Sequence, residues 1–285
     1  MSWRFLLIVF FLVPLASSAQ YRSSKSRKSK ISNSEGTMFL SWGYHRSWYS
    51  GSNLRLNGPG YQLEMSGFRA TDNPSYNLLN VPTTQFNARI GYYFKNGYAL
   101  SFGWDKMSYE MVNGQAVLLN GATDGNASNG FNGSFFNQSV FLDSSAFVYT
   151  IPTMNHINLK VSRTGRSVRF GRKEPFVIST DLGASFGLLL NQTDYRFGDY
   201  LDAGTSSLGG ITLAAHAGVR FEFFKHIYIE PSLSGGYMNQ VRNRLLEYEP
   251  NSYAKQHLGY LQFETTLGVL LYVRPTNDCN SCPQW

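Results

Sequence analysis

Hydrophobic and polar residues alternate with a period of two over long stretches of this chain, most regularly from Gln85 to Asp105. Phe86, Ala88, Ile90, Tyr92 and Phe94 alternate with Gln85, Asn87, Arg89, Gly91 and Tyr93. After Lys95-Asn96-Gly97 the pattern resumes, with Tyr98, Leu100, Phe102 and Trp104 against Ala99, Ser101, Gly103 and Asp105. Such alternation predicts two antiparallel strands. Parity then selects the turn. A two-residue Asn-Gly loop pairs Lys95 with Tyr98 and throws the two apolar rows onto opposite faces. A three-residue loop pairs Phe94 with Tyr98 and keeps the rows together, with Gly97 in the left-handed region that glycine enters freely.

The same period recurs at 37–48, 154–163, 176–191, 211–223, 227–234 and 258–273, which with the hairpin predicts eight strands. The apolar rows of 211–223 and 227–234 both fall on odd numbers, so an odd loop such as Phe224-Lys225-His226 must join them. Pro231 cannot donate to a ladder and counts against this strand, though a bulge there would accommodate it. Residues 50–83 read as a loop containing a short alternating piece at 61–65, a strand or hairpin arm. The stretch 111–150, with Asn-Gly at 113–114, 120–121, 129–130 and 132–133, reads as a long exposed loop. A basic turn at 164–174 and loops at 193–207 and 242–255 complete the outline.

In each strand one face is aliphatic and aromatic, while the other carries Gly, Ser, Asn and isolated charges. A soluble β-sandwich would turn its apolar face inward and clothe the other in Lys, Glu and Thr. The small polar faces here suit a crowded lumen, which makes the fold class all-β: an antiparallel transmembrane β-barrel of eight strands, or ten if 61–65 and 140–149 are counted. Phe86 to Phe94 spans about 27 Å along a strand, roughly 20 Å of height at the usual tilt, close to the apolar band of such barrels. Trp42, Trp48, Tyr98, Trp104 and Tyr237 sit at row ends, where interfacial aromatics belong. With both termini in the periplasm, the tight links fall on the periplasmic side and the long ones (50–83, 112–150, 193–207, 241–255) outside.

Composition supports the same class: aromatic residues make up 15% of the chain and charged residues only 15%, low for a soluble secreted enzyme. Residues 1–19 have Arg4, an apolar run from Phe5 to Leu15 and a small-residue end, Ser17-Ser18-Ala19. That run is too short to span a bilayer and reads as a secretory signal peptide. Much of the net charge of +7 comes from Arg22, Lys25, Arg27, Lys28 and Lys30, in a serine-rich tail over 20–36 that reads as solvated linker. No nucleic-acid fold signature is present. The expected division is signal peptide 1–19, basic tail 20–36, barrel 37–273 and periplasmic tail 274–285.

Eight strands leave an interior just filled by side chains, so a general diffusion pore is not expected. Arg89, Asp105, Lys160, Asp181, Arg220, Glu222, Glu230 and Glu264 all fall on polar faces and are expected to form a paired lumen network. His45, His156 and His216 also point inward by parity. No Ser/His/acid spacing is readable around them, so lumen histidines are favoured over catalytic ones. Cys279-Asn-Ser-Cys282 has the spacing of a redox pair, a tight disulfide or half a zinc site, and a local disulfide is the reading adopted. No cofactor, metal or catalytic residue is expected.

The signal peptide ending before Gln20, the segment FLSWGYHRSWYS at 39–50 and the run ARIGYYFKNGYALSFGWDKM at 88–107 resemble small outer-membrane β-barrel proteins of Bacteroidota. The general architecture is similar to OmpA-like and OmpW-like barrels over residues 37–273, without a peptidoglycan-binding domain. The resemblance implies a cell outer-membrane location and contact with outer-membrane lipids and lipopolysaccharide, with other outer-membrane or periplasmic proteins as further partners. The leading expectation is a non-enzymatic structural or accessory subunit of an outer-membrane complex. The alternatives are an OmpW-like transporter of small hydrophobic molecules and a lipid-modifying enzyme.

Overall fold

The computed structural model describes residues 35–73, 85–124, 132–171, 175–198 and 200–272, with the backbone alone given for Arg166. The expected signal peptide, most of the basic tail, and Cys279 and Cys282 lie outside the described residues. The thirteen elements among the described residues are all strands: β1 (Thr37–Tyr49), β2 (Ser52–Gly58), β3 (Tyr61–Phe68), β4 (Ala70–Thr71), β5 (Phe86–Lys95), β6 (Tyr98–Met111), β7 (Gln115–Thr123), β8 (Gly133–Leu142), β9 (Phe147–Phe170), β10 (Phe176–Phe197), β11 (Tyr200–Phe223), β12 (Ile227–Arg244) and β13 (Tyr253–Tyr272).

Eight of these strands pair antiparallel in a closed cycle. β1 pairs with β5, β5 with β6, β6 with β9, then β10, β11, β12 and β13 follow in turn. β13 returns to β1 along a seam that runs unbroken from Thr37–Tyr272 to Tyr49–Tyr260. The cycle therefore has no free edge over that height.

The β5–β6 turn corrects the expectation in detail while preserving its consequence. Lys95 pairs with Tyr98 across Asn96-Gly97, and a one-residue shift between Tyr93 and Lys95 leaves Phe94 as the extra residue. Parity is restored by that bulge, so Ile90 still faces Phe102 and Ala88 still faces Trp104. Gly97 has φ 78°, in the left-handed region. The β11–β12 link is the three-residue loop that parity requires, with Phe223 opposite Ile227. Pro231 is accommodated without a bulge. The β11–β12 ladder skips two residue pairs there and resumes in the same register, Gly218 with Ser232 and Phe221 with Ile229.

The strands also run further than the alternation suggests. β9 continues to Phe170, shortening the expected 164–174 turn, and β10 and β11 meet within 198–199, replacing the expected loop at 193–207. The 50–83 and 111–150 segments supply β2–β3 and β7–β8, two hairpins that extend the sheet beyond β13 in the order β13-β2-β3-β7-β8. β4 pairs with both β1 and β6, occupying the place between them beyond the start of β5.

Two opposite exposure patterns divide the molecule along its strands. Near the tight turns, the outward rows are apolar and exposed, as in β10, where Leu182, Phe186, Leu188 and Leu190 are between 40% and 56% accessible. The inward residues there are polar and buried, among them Asp181. Beyond Leu190 the same strand inverts: Gln192 and Arg196 are exposed, while Tyr195 and Phe197 are buried. The inversion continues through the added hairpins, with Leu54, Leu56, Leu63 and Met65 buried and Arg55 and Gln62 exposed. This outer half has a dry core that also takes in Tyr109, Phe147, Tyr149, Leu245 and Leu258. It is built as soluble sheets are, whereas the turn-side half is built the other way round. Burial pushes the Tyr109 phenol in this core up to about 12, against hydrogen bonds to Ser52 and Gln256 that pull it down.

Candidate functional site: a packed, charge-paired interior

The interior of the turn-side half is the only part of the described residues that concentrates charge away from water, and every charged residue expected there by parity lies on an inward face. Asp105, Lys160, Asp181, Arg220, Glu222, Glu230 and Glu264 are all below 8% accessible, and the Arg89 side chain is 15% accessible. Burial of this kind is tolerated only where each charge meets a partner.

Arg220 on β11 anchors the first group. Its Nε donates to Glu230 Oε2 at 2.6 Å and its Nη1 to the Tyr93 hydroxyl at 2.5 Å. The guanidinium also lies 4.2 Å from the centre of the Tyr228 ring and 5.6 Å from that of Phe39. Because Tyr93 accepts from Arg220, its own proton is directed to Thr164 Oγ1 at 3.0 Å. Thr164 in turn donates to Asp181 Oδ1 at 3.3 Å, and His216 Nε2 meets Asp181 Oδ2 at 3.0 Å. The chain thus runs from β11 across β5, β9 and β10 and back to β11.

A second group lies further from the turns. Arg89 Nη2 donates to Asn158 Oδ1 at 2.9 Å, and Asn158 Nδ2 donates to Asp105 Oδ2 at 2.7 Å. The Arg89–Asp105 ion pair itself is long, at 4.0 Å. His156 Nδ1 is 3.0 Å from Asp105 Oδ2 and its Nε2 is 2.7 Å from Thr212 Oγ1. A proton on Nδ1 facing the carboxylate leaves Nε2 to accept from Thr212. This acid–histidine–hydroxyl series resembles a nucleophile relay in composition. All three residues are buried, however, and the imidazole lies so close to Gly187 that a methyl group there would overlap it. A third group centres on Glu264, which accepts from Asn87 at 3.1 Å and Ser232 at 2.8 Å, with Lys160 Nζ at 3.8 Å.

The sequence-predicted residues therefore sort into three clusters, with Glu222 buried at the turn end, opposite Tyr228 and Val177. His156 and His216 each face an aspartate. His45 is different: both its ring nitrogens are buried with no hydrogen-bond partner among the described residues. Tyr93, Tyr228, Asn87, Asn158 and Thr212 were not singled out by sequence. Their inward parity was visible, but their partners come from strands up to 127 positions away. Inward glycines make room for the long side chains: a methyl group at Gly91 would overlap the Phe39 ring, and one at Gly268 the Tyr228 ring. Two voids of about 20 Å³ remain among these groups, each large enough for a single water. On the outer half, a wider concavity of about 720 Å³ opens beside Arg55, Gln62, Glu64, Asn120, Tyr253 and Lys255.

No protein-family profile matches the chain, and comparison with curated proteins finds no match either. Among solved structures, the attachment invasion locus protein Ail of Yersinia pestis aligns at 13% identity, covering 83% of this chain and 99% of its own, with a TM-score of 0.31. Outer membrane protein OprG from Pseudomonas aeruginosa aligns at 10% identity over 85% of this chain and all of its own, with a TM-score of 0.38. Neisserial surface protein A aligns at 11% identity over 80% and 96%, with a TM-score of 0.32. These solved structures are small outer-membrane barrels, as the sequence resemblance implies, but an origin in Bacteroidota finds no support in them. At such low identity and TM-score, no property of these proteins passes to this chain.

Proposed function

We propose that the chain is an integral outer-membrane protein, an eight-stranded transmembrane β-barrel that conducts no solute and serves as a structural or accessory component of the cell envelope. The observation that carries this reading is the reversal of exposure along single strands. On β10 the outward row is apolar through Leu190 and polar from Gln192, while the inward row changes in the opposite sense. Water on one side of that level and hydrocarbon on the other accounts for both halves. An exposed belt that includes Trp42, Ile90, Phe102, Leu159, Phe186, Leu213 and Phe263 far exceeds the apolar patches of soluble proteins.

The packed interior supports the reading that no solute is conducted. A channel needs a polar path wide enough for hydrated solute, and the paired Arg220, Asp105 and Glu264 clusters stand in it. In this reading the outer half, with its own dry core and its polar concavity, is a rigid platform on the cell exterior. Tight turns lie in the periplasm.

Reconstitution into planar bilayers, with folding checked by heat-modifiable migration on a denaturing gel, tests the proposal. The folded protein is expected to give no current above the lipid background. Reproducible unitary currents from the heat-modifiable form would show a transporter instead.

A further inference from the structure

At the turn end of the cycle, one cross-strand row carries an arrangement that the packing of the barrel does not explain. Lys95 pairs with Tyr98, and Tyr98 pairs with Arg163, so three neighbouring strands bring these side chains side by side. Lys95 Nζ lies 5.8 Å from the centre of the Tyr98 ring and Arg163 Cζ lies 5.3 Å from it. Lys95 and Arg163 are exposed, and Tyr98 is half-buried against Phe94. Among the described residues, neither cation forms an ion pair with a carboxylate.

Interfacial lysines and arginines ordinarily reach singly toward water, each free to choose its own direction. Here two like charges converge on one aromatic ring, where each repels the other. A ring quadrupole attracts a cation at an exposed site, which offsets part of that repulsion. A phosphate set against the pair would remove it, since an arginine fork and a lysine ammonium both favour phosphate oxygens. The height fits as well: Tyr98 ends the outward apolar row that continues through Leu100, Phe102 and Trp104. A group bound beside it stands at the level of lipid headgroups.

We propose that Lys95, Tyr98 and Arg163 form a binding site for the phosphate of an anionic phospholipid in the periplasmic leaflet, with the lipid's acyl chains lying against Phe94, Leu100 and Val161. This rests on the transmembrane reading above. The site would tie the barrel to one lipid class and fix its depth at the inner interface.

The test places wild type, K95Q/R163Q and K106Q in nanodiscs of phosphatidylcholine containing phosphatidylglycerol and counts retained lipids by native mass spectrometry. Two juxtaposed cations imply an enrichment of phosphatidylglycerol on the order of tenfold or more. Wild type and K106Q are expected to show it, K95Q/R163Q to lose it, and excess inorganic phosphate to leave the lipid in place. Equal retention by K95Q/R163Q would overturn the proposal, and so would displacement of the lipid by inorganic phosphate, which would make the ligand a soluble anion. Each sample is also run boiled and unboiled. Loss of lipid with the mobility shift retained locates the effect in the site, whereas a wild type without any shift would remove the transmembrane reading and this site with it.

Discussion

Replacing Arg220 by leucine is expected to destabilise the barrel by roughly 3–5 kcal/mol, the usual cost of removing one partner from a buried ion pair. The change leaves the Glu230 carboxylate without its donor at 2.6 Å and the Tyr93 hydroxyl without its donor at 2.5 Å. It also empties the space against the Tyr228 ring. Because Tyr93 donates a hydrogen bond to Thr164 and Thr164 donates one to Asp181, the disturbance should reach the His216 side of the barrel. Reversible urea unfolding in lipid bilayers, followed by tryptophan emission, measures the loss. The double change R220L/E230L removes both charges together and should recover most of it, since an apolar pair of similar size is often neutral in such places. A loss below about 1 kcal/mol for R220L would mean that the interior is hydrated well enough to leave Glu230 unpaired.

A second large effect is expected at the seam. Gly43 faces Thr266 across the β1–β13 ladder, the junction that closes the cycle. A methyl group at Gly43 would overlap the Thr265 carbonyl oxygen and sit 2.7 Å from Thr266 Cα. These obstacles are backbone and cannot rotate away. Gly43→Val should therefore force first and last strands apart, costing at least the ~1–3 kcal/mol of an overpacked core and reducing the yield of heat-modifiable protein. Gly103→Ala is the informative contrast. Its added methyl would meet the Arg89 guanidinium, the far end of a flexible side chain, and should cost less. Equal yields of folded protein from wild type and Gly43→Val would show that the seam can shift without penalty.

The turn-side half was legible in the sequence because an exposed apolar face and a filled polar interior impose a strict period of two. In β5 and β6 that period located Arg89 and Asp105 on the inner face, and it required an extra residue at Lys95-Asn96-Gly97, even though the bulge falls at Phe94. The outer half was hidden for a physical reason. Val117 and Leu119 face a core while Leu118 between them stays exposed, so β7 reads as a continuous apolar run beside Asn-Gly turns. β2 alternates Leu54 and Leu56 with Asn53, Arg55 and Asn57, the ordinary pattern of a soluble strand, inside a segment whose glycines and prolines suggested a loop. Which charges meet was not legible at all. Asp105 and His156 are direct cross-strand partners, yet the 111–150 segment between them hides the pairing.

The central claim is that the boundary at Leu190 on β10 is a membrane surface. Single cysteines at 182, 184, 186, 188, 190, 192, 194 and 196, in a background without Cys279 and Cys282, can be spin-labelled in reconstituted bilayers. Accessibility to oxygen and to a water-soluble nickel chelate then reports depth. Labels from 182 to 190 should favour oxygen, and labels from 192 to 196 should switch to the chelate. Chelate access throughout 182–190 would contradict a transmembrane barrel.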